Sequence, residues 1–229
     1  MKHDSKETGM HRLIAGFLVL LFSTSSGAQE RGIAARDLDA ARARKRVALV
    51  IGNGDYATSP LRNPVNDAKA VTKTLRGLGF EVTEKVNLNQ SDMKRAIDTF
   101  GQAARGAEAS LFYYAGHGVQ AEGNNYLIPI GGRIESEPDI EYEAVNVGRV
   151  LAKMEAARSR VNIVILDACR DDPFKRGYRG SARGLAYMNA PKGTVIAYAT
   201  APGSVAGDGS GEHGLYTEEL VKHMQTPGL

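Results

Sequence analysis

"ASLFYYAGHG", Ala109 to Gly118, is an apolar run that ends in a histidine set between two glycines. Leu111 to Ala115 has no polar alternation, which is the mark of a strand covered on both faces. Working outward, the same signature recurs upstream in Val47 to Ile51 and downstream in Val161 to Leu166. Phe80 to Val86 and Gly193 to Thr200 complete a set of five expected strands. Helical patterns separate them. In "NDAKAVTKTLRGLGF", Ala68, Val71, Leu75 and Leu78 fall at helical spacing, Asn66 or Asp67 offers an N-cap, and Gly79 a stop. Ser91 to Ala104 follows with Ser91 as the expected cap and Met93, Ile97 and Phe100 on one face, and Tyr142 to Ala157 reads as mostly helical. A last helix is expected from Tyr216 to Met224. Strands alternating with helices predict an α/β fold, a mainly parallel sheet between two helical layers.

The N-terminus adds a different kind of segment. Lys2, Lys6, His11 and Arg12 precede the apolar stretch Leu13 to Phe22, and Ser26, Gly27 and Ala28 supply small residues for cleavage. Residues 1–28 therefore read as a secretory signal, too short in its apolar core to span a bilayer, and they predict export to the periplasm or beyond. Residues 29–45 read as a polar linker, and 46–229 as one domain whose C-terminus stops abruptly at "QTPGL". Removing Lys2, Lys6 and Arg12 together with Asp4 and Glu7 takes the formal charge from +3 to +2. So slight an excess gives no electrostatic footprint for nucleic acid. A single cysteine rules out an intramolecular disulfide and a cysteine-based zinc site.

Three motifs carry the chemical reading. "GNGDYA", Gly52 to Ala57, fits a dinucleotide fingerprint, but that fingerprint needs a helix at once, and Pro60 and Pro64 occupy the next ten residues. It is a decoy. His117 ends the third strand and Cys169 follows the fourth in "NIVILDACRDD". Alone, the first reads as a turn histidine and the second as buried filler. If their strands are neighbours, both emerge at one edge of the sheet as the base and thiol of a nucleophile pair. Asp167 stands two residues before Cys169, so an extended backbone directs both to the same side, where a carboxylate receives a cationic substrate group or caps local backbone.

"LFYYAGHG" with "NIVILDACRDDPF" resembles the caspase–metacaspase clan, and most closely its bacterial caspase-like members. "ALVIGNGDY", "LRNPVNDA", "NNYLIPI", "IAYATAPG" and "GLYTEEL" stand in the order expected of that family, so the similarity runs from about Arg46 to Leu220. The separation of 52 positions between His117 and Cys169 matches the roughly 50 typical of caspases.

The resemblance implies a caspase-like three-layer αβα sandwich and a cysteine endopeptidase acting through a thioester on protein or peptide substrates. His117 and Cys169 would form the dyad, and the N–H groups of Gly118 and Cys169 the oxyanion hole. Asp-Ala-Cys-Arg-Asp departs from the Gln-Ala-Cys-x-Gly of caspases and matches the metacaspase branch, which cuts after Arg or Lys. On that branch Asp167 and, by position, Asp67 recognise the basic side chain. Self-cleavage would fall in the loop after the cysteine, where Lys175, Arg176, Arg179 and Arg183 are available. Some members need calcium. Asp171, Asp172 and the run Glu135, Glu137, Asp139, Glu141 and Glu143 lack the spacing of a calcium loop, so the residues themselves imply no cofactor and calcium dependence stays open. The rival from another class is a catalytically silent scaffold for protein–protein contact.

Overall fold

The computed structural model describes residues 45–169, 185–199 and 211–226. The expected signal segment, most of the linker, and Lys175, Arg176, Arg179 and Arg183 lie outside the described residues, as do Asp171 and Asp172. In chain order the elements are β1 (Arg46–Gly52), α1 (Pro64–Gly77), β2 (Glu81–Val86), α2 (Gln90–Ala103), β3 (Ala109–Ala121) and β4 (Asn124–Leu127). They continue with α3 (Glu137–Glu143), β5 (Val145–Asn146), α4 (Val147–Ala157), β6 (Val161–Cys169), β7 (Thr194–Tyr198) and α5 (Leu215–Met224).

Five strands lie side by side in the order β2-β1-β3-β6-β7, all parallel. The continuous apolar runs divide by alternation between the two faces. Leu49, Ile51, Phe112, Tyr114, Val164 and Leu166 meet Met93, Ile97 and Phe100 of α2 and Val150 and Met154 of α4. Ala48, Val50, Leu111, Tyr113 and Ile165 meet Ala68, Val71 and Leu75 of α1, with Leu220 and Val221 of α5 packed against them. Full burial of one such Leu, Ile, Val or Phe side chain is worth about 1.5–3 kcal/mol, so the central strands are the most firmly held part of the sheet. This is the three-layer α/β architecture expected.

Several boundaries differ from expectation, each for a physical reason. β3 does not stop at His117 but runs on to Ala121, because Gly118–Ala121 pairs antiparallel with β4, which in turn pairs with β5. β6 likewise runs through Asp167 to Cys169, since every residue from Val161 onward has a partner on β3. Helix α1 opens at Pro64, with proline in the first turn where its missing N–H is harmless. Asn66 and Asp67 are therefore inside the helix rather than capping it. The cap of α2 is Asn89, whose side chain accepts from the Asp92 N–H at 2.9 Å, and Ser91 is already the second residue of the helix. The helical reading of Tyr142 to Ala157 is interrupted at Ala144, where the chain extends to form β5 before Asn146 caps α4. Gly79 does end α1: at φ +81° it lets Phe80 N–H reach Leu75 O at 3.0 Å and its own N–H reach Arg76 O at 3.1 Å.

Candidate active site

The pairing of β3 with β6 sets His117 directly against Cys169 in the sheet register. Two residues from different crossovers, far apart in sequence, so become cross-strand neighbours at the C-terminal edge of the parallel sheet, where open α/β sheets place their chemistry. The Cys169 side chain lies outside the described set.

His117 is buried and held on several sides. Its ring stacks obliquely on Tyr56, centroids 4.4 Å apart and planes at 50°. Nε2 lies 2.7 Å from the carbonyl oxygen of Ser59. A carbonyl only accepts, so Nε2 carries a proton, and in the neutral form of the ring the lone pair is on Nδ1. The backbone is held as firmly: His117 N–H donates to Tyr56 Oη at 3.0 Å, and its carbonyl accepts from Tyr114 Oη at 2.9 Å and Ile128 N–H at 3.0 Å. Glycine is required on both sides. A Cβ on Gly116 would stand 2.7 Å from both tyrosine hydroxyls at a φ of +153°, and one on Gly118 would stand 2.9 Å from Ala168 Cβ.

Tyr56 comes from the turn after β1, and the apparent nucleotide motif is what fixes that turn. A Cβ on Gly52 would run into the Pro64 carbonyl, and one on Gly54 would come 2.8 Å from Leu61 O. Both glycines admit the chain's own backbone, not a phosphate. Between them the buried Asn53 accepts from Leu88 N–H at 2.9 Å and donates to the carbonyls of Leu88 and Ile128, each at 3.3 Å.

On the α1–α5 face of the sheet two carboxylates converge. Asp67 from α1 and Asp167 from β6 are 2% and 8% exposed. The turn into α5 brings its own partners to both. Gly214 N–H donates to Asp67 Oδ1 and Oδ2 at 3.1 and 3.3 Å, and His213 Nδ1 is 3.1 Å from Oδ1. Asp167 Oδ2 accepts from Thr217 Oγ1 at 2.6 Å and Tyr113 Oη at 3.3 Å. Burial, with the Asp167 charge behind it, raises Asp67 to about 7, against the downward pull of Gly214 and His213. Burial also pushes the Tyr113 hydroxyl well up, so it stays protonated and can donate.

The family model for the caspase domain matches residues 45–229, the whole of the described fold. The chain belongs to the caspase family. Over 165 residues it is 30% identical to the human mucosa-associated lymphoid tissue lymphoma translocation protein 1, covering 72% of this chain and 19% of that protein. It is 23% identical over 148 residues to caspase a of Danio rerio, 62% of this chain and 38% of the relative. This caspase domain thus spans about a fifth to two fifths of these relatives. The crystal structure of the Drosophila initiator caspase Dronc superimposes with a TM-score of 0.55 at 15% identity, covering 80% of this chain and 66% of that one. That likeness shows the fold. Members of the caspase family are cysteine peptidases acting on protein substrates.

Among the residues singled out from sequence, His117 and Cys169 come together in register, Gly118 stands beside them, and Asp67 and Asp167 meet on one face. His213, Thr217, Tyr113, Tyr56 and Ser59 were not anticipated. His213 stands two residues before α5 and carries no motif, while Thr217, in the first turn of α5, lies within the GLYTEEL block but was given no role of its own. Among the described residues there is no cluster of His, Cys, Asp or Glu suited to a metal ion, and Asp139 is engaged with Ser136 in a helix cap. No helix among them is long and apolar enough to cross a membrane.

Proposed function

We propose that this caspase-family chain is a cysteine endopeptidase that cleaves after arginine or lysine. The supporting observation is the sheet register that sets His117 beside Cys169. In this reading Nδ1 of His117 takes the thiol proton, and the sulfur of Cys169 attacks the scissile carbonyl carbon. The N–H groups of Gly118 and Cys169 hold the tetrahedral oxygen. Collapse breaks the C–N bond, the imidazolium returns its proton to the leaving amine, and water hydrolyses the thioester. Asp67 and Asp167 receive the basic side chain, which a guanidinium can bridge with paired N–H groups. Cleavage in the chain's own segment at Lys175, Arg176, Arg179 or Arg183, and export with removal of residues 1–28, complete the proposal.

Purified mature protein, with and without calcium, incubated with Arg-, Lys- and Asp-terminated fluorogenic peptides beside Cys169→Ala tests it. Hydrolysis of the Arg and Lys peptides, lost in the variant, is expected. Turnover confined to the Asp peptide overturns the pocket assignment, and none on any peptide leaves the scaffold reading in its place.

A further inference from the structure

The two pocket carboxylates are met by the protein itself. His213 is the ion-pair partner that the described residues give Asp67. A Cβ built on Gly214 would lie 3.3 Å from Asp67 Oδ2 and 3.7 Å from Asp167 Oδ2, so the backbone at this turn lies over both acids. We propose that His213 is a built-in occupant of the basic-residue pocket, holding the place at Asp67 that a substrate guanidinium or ammonium must take. The inference rests on the reading of Asp67 and Asp167 as the substrate pocket.

Three observations support displacement over a fixed structural pair. Asp67 is anchored in α1 with its side chain 3% exposed, whereas the His213 side chain is 35% exposed and precedes α5. The ring therefore has the freedom the carboxylate lacks. His213 also lines a groove of about 850 Å³ between α1 and α5, with Asn66, Lys69, Lys73 and Gln225, so a displaced ring has room to enter. And an imidazole offers Asp67 one donor, whereas a guanidinium offers five in a fork. The incoming arginine replaces what it removes and can reach Asp167 too.

Removing the occupant has two opposed consequences. The groups facing Asp67 are Asp167 from β6, Tyr113 from β3 and His213 before α5, with Tyr216 of α5 facing Asp167. Burial and Asp167 favour the protonated acid, while His213 and Gly214 favour the carboxylate. Without His213 a cationic ligand at alkaline pH has no imidazole to displace from Asp67, although the Gly214 N–H remains. At the same time Asp67 takes up its proton at a higher pH, so binding is lost earlier as pH falls.

The test uses the full mature chain. Agmatine, which carries an arginine-like guanidinium, is titrated calorimetrically into Cys169→Ala and Cys169→Ala/His213→Ala from pH 5.5 to 9, and histidine side-chain resonances are followed in the former. Kinetics on an Arg-terminated peptide are read in parallel for the wild type, His213→Ala and His213→Gln. At pH 9 His213→Ala should bind agmatine about two- to tenfold more tightly, the range set by one net hydrogen bond, with the peptide effect in KM. The acidic limb should move to higher pH, and His213→Gln, which keeps a donor, should fall between. The His213 resonances should shift as agmatine binds. Binding with those resonances unmoved, or weaker binding by His213→Ala at every pH, overturns the displacement and leaves the pocket reading intact. Failure of agmatine to bind any of the proteins overturns the pocket reading itself. The resonance shift needs no substitution at 213, so a poorly folded variant does not remove the test.

Discussion

At His117 the arrangement of donors decides the chemistry. Ser59 O fixes the tautomer, the Tyr56 ring fixes the plane, and Tyr56 Oη fixes the backbone N–H. Replacing Tyr56 by Phe keeps the ring contact but strands the buried His117 N–H, which costs about 1–3 kcal/mol in urea denaturation. Turnover should fall through kcat more than KM, because the base is displaced while the hydrogen bonds that hold Asp67 and Asp167 are untouched. Asp67 poses the opposite case, a group whose functional charge is a structural burden. Its proton is held in the folded chain up to about 7, against an ordinary carboxylate value of 3.8. Between those limits the folded chain binds more protons than the unfolded one, so this group's stabilising contribution is present at low pH and lost as pH rises through 7. Asp67→Asn should therefore be more stable than the wild type at pH 8 and nearly equal to it at pH 4, by denaturation at the two values. The same variant should raise KM for the Arg peptide at pH 8, since the neutral amide no longer pairs with a cation.

Among the elements, the turn between β1 and α1 links fold to site. Asn53 ties the exit of β1 to the exits of β2 and β4, and Tyr56, four residues from the motif's start, delivers its hydroxyl to Tyr114, Ile128 and His117. Asn53→Ala leaves a buried N–H and carbonyls from two other elements without their amide partner. It should cost about 2–4 kcal/mol from more than one lost bond, and depress activity although residue 53 does not touch the dyad. This turn also shows what is legible in a single sequence. Continuous apolar runs announced the three central strands, because burial on both faces leaves a compositional trace, while β2 and β7 were placed by the alternation of strand and helix patterns that predicts a parallel sheet. The glycines of Gly52-Asn53-Gly54 announced close approach, but not what approaches; only the prolines downstream excluded a phosphate. Strand ends were less legible: β3 runs on because Gly118–Ala121 folds back on β4 across the Glu122-Gly123 turn, and β6 runs on because its last residues pair with β3, 52 positions upstream. His213 and Thr217 were illegible for a related reason. A residue that serves an acid 146 or 50 positions away is placed by the packing of α5 on α1, which periodicity does not report.

For the whole molecule, the segment that follows Cys169 divides the chain into two parts sharing one sheet. β7 is seated on β6 along five register pairs, from Asn162 with Thr194 to Leu166 with Tyr198. Beyond it, Gly214 N–H bonds Asp67, Thr217 bonds Asp167, and Gln225 Nε2 donates to Thr74 Oγ1 at 3.4 Å. A cut after Lys175, Arg176, Arg179 or Arg183 would thus sever the backbone and leave the ladder, the apolar contacts of α5 with α1 and the pocket hydrogen bonds in place. Association across a cut sheet replaces loop closure with a bimolecular term, but burial of Leu220, Val221 and Ile165 at the α5 face opposes separation. Self-processed protein should run as two pieces on a denaturing gel and elute as one species at the uncut position under native conditions, with Cys169→Ala remaining a single piece in both. Pieces that separate on native elution would mean that an intact backbone is needed to hold β7 in register. Pieces that stay together would allow the chain to be cut after the cysteine while the acid pair keeps its geometry, so that cleavage need not dismantle the fold.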